Sequence, residues 1–254
     1  MDNLIKQKIE LTAAFRWTAR LNMHESVVNH FSVSVKNDSS KFLVNPGGMH
    51  FSLLKASDLI CIDTNDIKKS TKHLHEDKKP LETALDLHAS IHREINNAKC
   101  ILHVHSKYAT IVSTLKKGKN SKWPGCIPPI DQNTMRFYKR VAEYNSYGGI
   151  AKGAEAKRIT KKIGDKNILL LANHGVVVIG STIAKAFYDL YYFEKACETY
   201  VKALTTGYDL KILPHKVAEK TARQMENYKP SNIADLYFKS LLKILDKEDS
   251  DYKE

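Results

Sequence analysis

Three histidines in this chain stand in sequence contexts suited to holding one metal ion. Cys100-Ile101-Leu102-His103-Val104-His105-Ser106 is an apolar run that ends in two histidines one residue apart. In an extended segment, residues i and i+2 leave the backbone on the same face, so both imidazoles can chelate a single ion. A second apolar run, Ile168-Leu169-Leu170-Leu171-Ala172, delivers Asn173-His174-Gly175 at its polar end, where Gly175 lets the backbone turn. Three imidazoles leave ligand positions open, as catalytic rather than structural metal sites do. A single histidine in such a place is more often hydrogen-bonded inside a core. The argument therefore rests on His-x-His together with a third histidine in matching context. His73 and His75 repeat the spacing without an apolar lead-in and beside Glu76-Asp77, so they read as exposed.

The elements that must position these histidines follow from periodicity. Residues 4–22 read as a helix, with apolar positions at helical spacing and a break after Asn22. Residues 30–35 alternate as a half-buried strand, the turn Asn37-Asp38-Ser39-Ser40 follows, and residues 41–44 return as a hairpin. Asn45-Pro46-Gly47-Gly48 is a turn whose glycines allow positive φ or close approach of a ligand. Residues 59–62 read as a strand and residues 64–81 as a polar loop. The helix predicted over 80–96 has Pro80 in its first turn and leads into the strand of His103 and His105. Further helices are predicted over 107–115, 154–163 and 182–204, and two tail helices over 216–228 and 231–246. Residues 116–135 read as a long loop, and residues 137–142 as short and mixed. Strands alternating with helices argue for an α/β sandwich in which helices cover a mixed sheet.

The chain has 254 residues, 43% of them hydrophobic, and no Pro/Gly/Ser-rich linker, which suits one domain with a sizeable core. The expected organisation is a single domain over 1–254 with a helical tail from about 208. The apolar runs fall far short of the ~20 residues that a membrane span needs. The N-terminus lacks the apolar core of a signal peptide. Cys61, Cys100, Cys126 and Cys197 are scattered and read as free thiols of a reducing compartment, so a cytoplasmic setting is expected. The formal net charge of +12 comes mostly from lysines spread from end to end, without aromatic interleaving or a nucleic-acid-binding motif. It reads as solvated surface able to attract small anions, not as a nucleic-acid surface.

Several of these stretches together resemble the class II aldolase/adducin family, in its adducin-like branch, over roughly residues 8–205. The carrying residues are Asn29-His30-Phe31-Ser32-Val33-Ser34-Val35, Phe42 to Gly48, His88-Ala89-Ser90-Ile91-His92 followed by His103-Val104-His105-Ser106, and Asn173 to Gly180 with Tyr191-Tyr192-Phe193-Glu194. The resemblance implies a three-layer α/β/α sandwich around a mainly antiparallel sheet. It also implies a homotetramer with sites between subunits, and a divalent ion, usually zinc, on His103, His105 and His174. In the enzymes of the family the ion acts as a Lewis acid on the oxygens of an enediolate. The expected function is accordingly a metal-dependent lyase that cleaves a C–C bond. The alternative is a non-catalytic, adducin-like cytoskeletal scaffold with an actin-type partner.

One departure bears on substrate. The sugar-phosphate aldolases carry paired hydroxyl residues before a catalytic glutamate, whereas this chain has Lys79-Pro80-Leu81-Glu82-Thr83-Ala84. Without gaps from His88, the glutamate position falls on Ala84, and Glu82 lies two residues out of register. Glu82 and Tyr147 are the proton-transfer candidates, the tyrosine because a nearby divalent cation lowers its pKa. Lacking the hydroxyl pair, the site is expected to take a small hydroxy or oxo acid, or a sugar-derived anion, rather than a sugar phosphate. An aromatic-rich helix over 182–204, with Tyr188, Tyr191, Tyr192 and Tyr200, also suggests a homo-oligomer.

Overall fold

The structure, a computed structural model, describes residues 3–36, 38–116, 123–146, 148–149, 152–227 and 232–254. Its elements in chain order are α1 (Asn3–Arg20), β1 (His30–Val35), β2 (Asp38–Val44), β3 (Ile60–Asp63), α2 (Ile67–Thr71) and α3 (Glu82–Glu94). Next come β4 (Cys100–Val104), α4 (Lys107–Thr114), α5 (Gln132–Arg136), β5 (Val141–Tyr144), α6 (Ala154–Ile163), β6 (Ile168–Leu171) and β7 (Gly175–Gly180). The chain closes with α7 (Ile183–Thr205), α8 (His215–Glu226) and α9 (Ile233–Glu248). The strands form one sheet in the order β3-β2-β1-β4-β7-β6-β5. Every pairing is antiparallel except β5 with β6. The expected three-layer α/β/α sandwich around a mainly antiparallel sheet is what the chain forms.

Both faces of the sheet are covered, which explains the unbroken apolar runs of β4, β6 and β7. One face carries Phe31, Val33, Leu102, Val104 and Val178 into a core shared with α1, α4, α7 and α9. The other face packs Ile101, Leu169, Val177 and Ile179 against Leu87 and Ile91 of α3 and Ile159 of α6. No helix among the described residues is long and apolar enough to cross a membrane.

Some elements differ from the sequence-based expectation. The 64–81 segment contains α2, whose N-cap Asp66 accepts a hydrogen bond from the Lys69 amide, in place of unbroken loop. Within the stretch expected to be loop up to residue 135, Asp131 and Thr134 form a capping box that starts α5. Residues 141–144 form β5, an edge strand held in parallel to β6. All three are too short for periodicity to reveal. The 37–40 turn and the 116–135 loop fall partly outside the described residues. The aromatic surface of α7 is largely used inside the chain. Tyr188 and Tyr200 are buried, Tyr191 and Tyr192 pack with Tyr237 of α9 or with each other, and Arg136 lies over Tyr188 and Tyr192.

The topology collects the polar strand ends at one edge of the sheet. β4 and β6 end there, β1 and β7 begin there, and β2 ends there with Asn45. Central β4 therefore delivers its C-terminal histidines beside the β6–β7 turn.

Candidate metal centre

His103, His105 and His174 each place a ring nitrogen within 4.8 Å of the others. The His103 and His105 Nε2 atoms are 3.2 Å apart. Their tautomers follow from their other partners. The Val176 carbonyl accepts a hydrogen bond from His103 Nδ1 at 3.1 Å, and a Glu25 carboxylate oxygen accepts one from His105 Nδ1 at 2.6 Å. In the neutral rings both Nε2 atoms then carry bare lone pairs, which repel at that separation unless a cation lies between them. The donor set thus fits a divalent ion, with Glu25 and Val176 as the outer partners that orient metal-binding imidazoles. Burial, reinforced by the neighbouring histidines, holds His103 well below the usual histidine range. Burial, then the nearby His105, brings His174 down to about 4, while Glu155 and Glu25 pull it the other way. Both shifts favour the unprotonated form of His103 and His174, the form that an imidazole needs to bind a metal.

Local structure holds each of the three histidines in place. Asn29 Oδ1 accepts a hydrogen bond from the Glu25 amide at 2.6 Å, which fixes the turn carrying the carboxylate. Asn45 Oδ1 accepts one from the Phe31 amide, and Asn45 Nδ2 donates to the Asn29 carbonyl. Behind His105, buried Glu194 of α7 accepts from Ser106 Oγ at 2.7 Å, the Tyr108 amide at 2.8 Å and the Ala109 amide at 3.0 Å. It caps α4 and so clamps the chain just past His105. Across the site, Asn173 takes the left-handed conformation of the β6–β7 turn, with φ of 57°. Gly175 serves differently from the expectation: a Cβ there would lie 2.5 Å from the Val104 carbonyl and 3.0 Å from the His105 ring. Its lack of a side chain, not a positive φ, lets the two histidine-bearing segments meet.

A polar seam lies behind the triad. His30 pairs directly with His103 across β1 and β4, and their ring centroids are 4.8 Å apart. His30, Ser32 and Ser34 share the face of β1 that meets His88 and His92 of α3. Buried polar groups need partners, and each of these finds one in the facing element. Burial is the main cause that puts His30 and His88 well below the usual range and His92 at about 4.

Of the expected proton-transfer residues, Glu82 sits at the start of α3, on the site edge, about 9 Å along the helix from His88. Its side chain is 77% exposed and pairs with Lys152, and that hydrogen bond holds its carboxyl below the usual carboxylate range. Glu82 does not join the histidine cluster. Tyr147 lies outside the described residues; its neighbour Gly148 donates a backbone hydrogen bond to buried Glu155. Periodicity did not single out Glu25, His30 or Glu155. The signal for His30 was its polar alternation with Ser32 and Ser34 on a strand otherwise built for a core. His75 is exposed beside Asp77, as expected.

The chain is similar to several known proteins. A Caulobacter vibrioides protein with a provisional name as a class 2 aldolase is 28% identical over 248 residues, covering 96% of this chain and 91% of the relative. An adducin-related protein of Schizosaccharomyces pombe is 28% identical and covers 99% of this chain and 78% of that protein. The crystal structure of an aldolase II superfamily protein from Pseudomonas syringae superposes with a TM-score of 0.87 at 25% identity, covering 100% of this chain and 97% of that one. The model for the class II aldolase and adducin N-terminal domain matches residues 9–201, and the chain belongs to that family.

Proposed function

We propose that the protein is a metal-dependent lyase that cleaves a C–C bond in a small hydroxy acid, oxo acid or sugar-derived anion. The observation that carries this reading is the pair of bare Nε2 atoms 3.2 Å apart on His103 and His105, with His174 alongside. These three residues would hold the ion, and zinc is the ion proposed, since it suits an all-imidazole set. A divalent ion there supplies Lewis acidity for the negative charge that builds on substrate oxygen as the bond breaks. The chain does the rest. Val176 and Glu25 keep the imidazoles in the binding tautomer, and the Glu194 clamp keeps His105 in place. Glu82 and Tyr147 are the proposed proton carriers, and Glu82 acts as a base once substrate draws it from Lys152. Pro80 and Leu81 offer no side-chain donors to a phosphate, which supports a carboxylate-bearing ligand. The assembly proposed is a homotetramer, and the free cysteines support a cytoplasmic setting.

The adducin-related relative supports a second reading, a cytoskeletal scaffold with an actin-type partner. One experiment separates them. Protein purified without added metal is assayed for bound ions, then tested on panels of hydroxy and oxo acids and of sugar phosphates, with actin co-sedimentation alongside. About one zinc per chain and aldehyde release from an acid support the lyase. Co-sedimentation without metal or turnover overturns it in favour of the scaffold.

A further inference from the structure

The seam behind the triad has a direction. The Ala98 carbonyl lies 2.9 Å from His92 Nδ1 and can only accept, so that nitrogen carries the proton and His92 Nε2 is bare. Ser32 Oγ, 2.8 Å from His92 Nε2, must give its single proton there. The same oxygen then accepts from His88 Nδ1, its other close partner. His88 Nε2 is therefore bare and accepts from His30 Nδ1 at 2.7 Å. No carboxylate among the described residues touches this chain of groups, and His30 and His88 are 4% and 0% exposed, so the neutral assignment is the consistent one. At its end stands His30 Nε2 with a lone pair and no hydrogen-bond partner among the described residues. His30 faces His103 directly across the strand pair, yet it lies outside the three-histidine cluster.

We propose that His30 Nε2 accepts a hydrogen bond from a hydroxyl of the small acid held at the triad, and so selects hydroxy acids over oxo acids. The inference rests on the lyase reading and narrows its substrate class. A bare nitrogen fixed by four successive hydrogen bonds has no proton to offer an oxo group and repels its oxygen. A hydroxyl satisfies it. Because Ser32 and His92 cannot reverse their roles without stranding a lone pair on the Ala98 carbonyl, the preference is built into the fold.

Two measurements on the full chain test this. Nitrogen–proton correlation spectra of metal-free, histidine-labelled protein should show His30, His88 and His92 protonated at Nδ1 and bare at Nε2; a proton on His30 Nε2 overturns the proposal. Calorimetric titration of zinc-loaded protein should show lactate binding about tenfold more tightly than pyruvate, the net worth of one hydrogen bond. Both acids offer a carboxylate and an adjacent oxygen, but only lactate brings the donor. His30→Ala should remove the preference and leave zinc content unchanged. Since that change strips buried His88 of its donor, Ser32→Ala is the second variant: it keeps His30 and cuts the chain at its middle, and should at least halve the preference. A preference that survives in both variants overturns the proposal. If zinc binds but neither acid does, the substrate class of the lyase reading fails and the proposal with it; equal binding of the two acids overturns the proposal alone.

Discussion

At the scale of single residues, the candidate centre depends as much on hydrogen-bond partners as on its ligands. Glu25 is 62% exposed, so the hydrogen bond it accepts from His105 adds little to stability by itself. Its value lies in fixing which nitrogen of His105 is bare. Glu25→Gln keeps the shape and removes the charge, and should weaken zinc binding by roughly 10- to 100-fold with no loss of fold. Competition with a chromophoric chelator measures this, and unchanged affinity would show that Glu25 is incidental. His105→Ala should abolish most zinc binding while circular dichroism stays native, because the ring stands past the end of β4 and not in its core. The grouping of His103, His105 and His174 was legible in the sequence because an i, i+2 pair at the end of one apolar run, and a third histidine at the end of another, are set by spacing alone. Glu25 was not: it lies in an irregular turn, and only the fold brings that turn to His105, 80 residues away.

At the scale of elements, two packing features hold the site together, and each supports a prediction. The first is the close approach of β7 to the end of β4. In Gly175→Ala the new Cβ would meet the Val104 carbonyl, which is backbone and cannot swing aside. The strands must separate, at a cost of about 1–3 kcal/mol, and zinc affinity should fall with stability. Retention of both would mean that the β6–β7 turn shifts freely. The second is the β1–α3 seam. His92 is held at about 4, below its unfolded value near 6.5, so the unfolded chain takes up the proton first as pH falls. Its contribution is present above about pH 6.5 and is lost progressively as pH drops toward 4, on the order of 2 kcal/mol by pH 5. His92→Gln should flatten the fall in denaturation midpoint between pH 7 and 5; a fall as steep as in the parent protein would refute the assignment. The alternation of strands and helices was readable because long apolar runs and amphipathic stripes dominate α1, α3, α7, β4 and β7. The strand β5 and the helices α2 and α5 were not, since capping and a single parallel neighbour define them. The seam was half legible, since polar alternation on β1 and the His88/His92 spacing are both in the sequence. Which histidine meets which serine depends on how α3 docks on β1, and no pattern within either element states that.

At the scale of the whole molecule, the open question is what covers the edge of the sheet where the site lies. The aromatic residues of α7 supply little of that cover, since contacts with α5 and α9 bury much of their surface. Val28, three residues after Glu25, and Leu53, three residues after His50, are exposed apolar side chains at 42% and 65% exposure. Glu25 itself, although it holds His105 by a hydrogen bond, is largely open. A second copy of the chain seated against this edge would shield the Glu25–His105 bond from water and strengthen it, because the effective dielectric falls as solvent is excluded. Closed symmetry would then repeat the contact without leaving an open end. The expected result is a homotetramer by light scattering at micromolar concentration. Leu53→Asp, alone or with Val28→Asp, should shift the population toward smaller species and weaken zinc binding in the same samples, while the monomer fold persists. A wild-type monomer under these conditions would refute the assembly. A tetramer indifferent to both substitutions would place its contacts on another face and leave the site edge to the substrate alone.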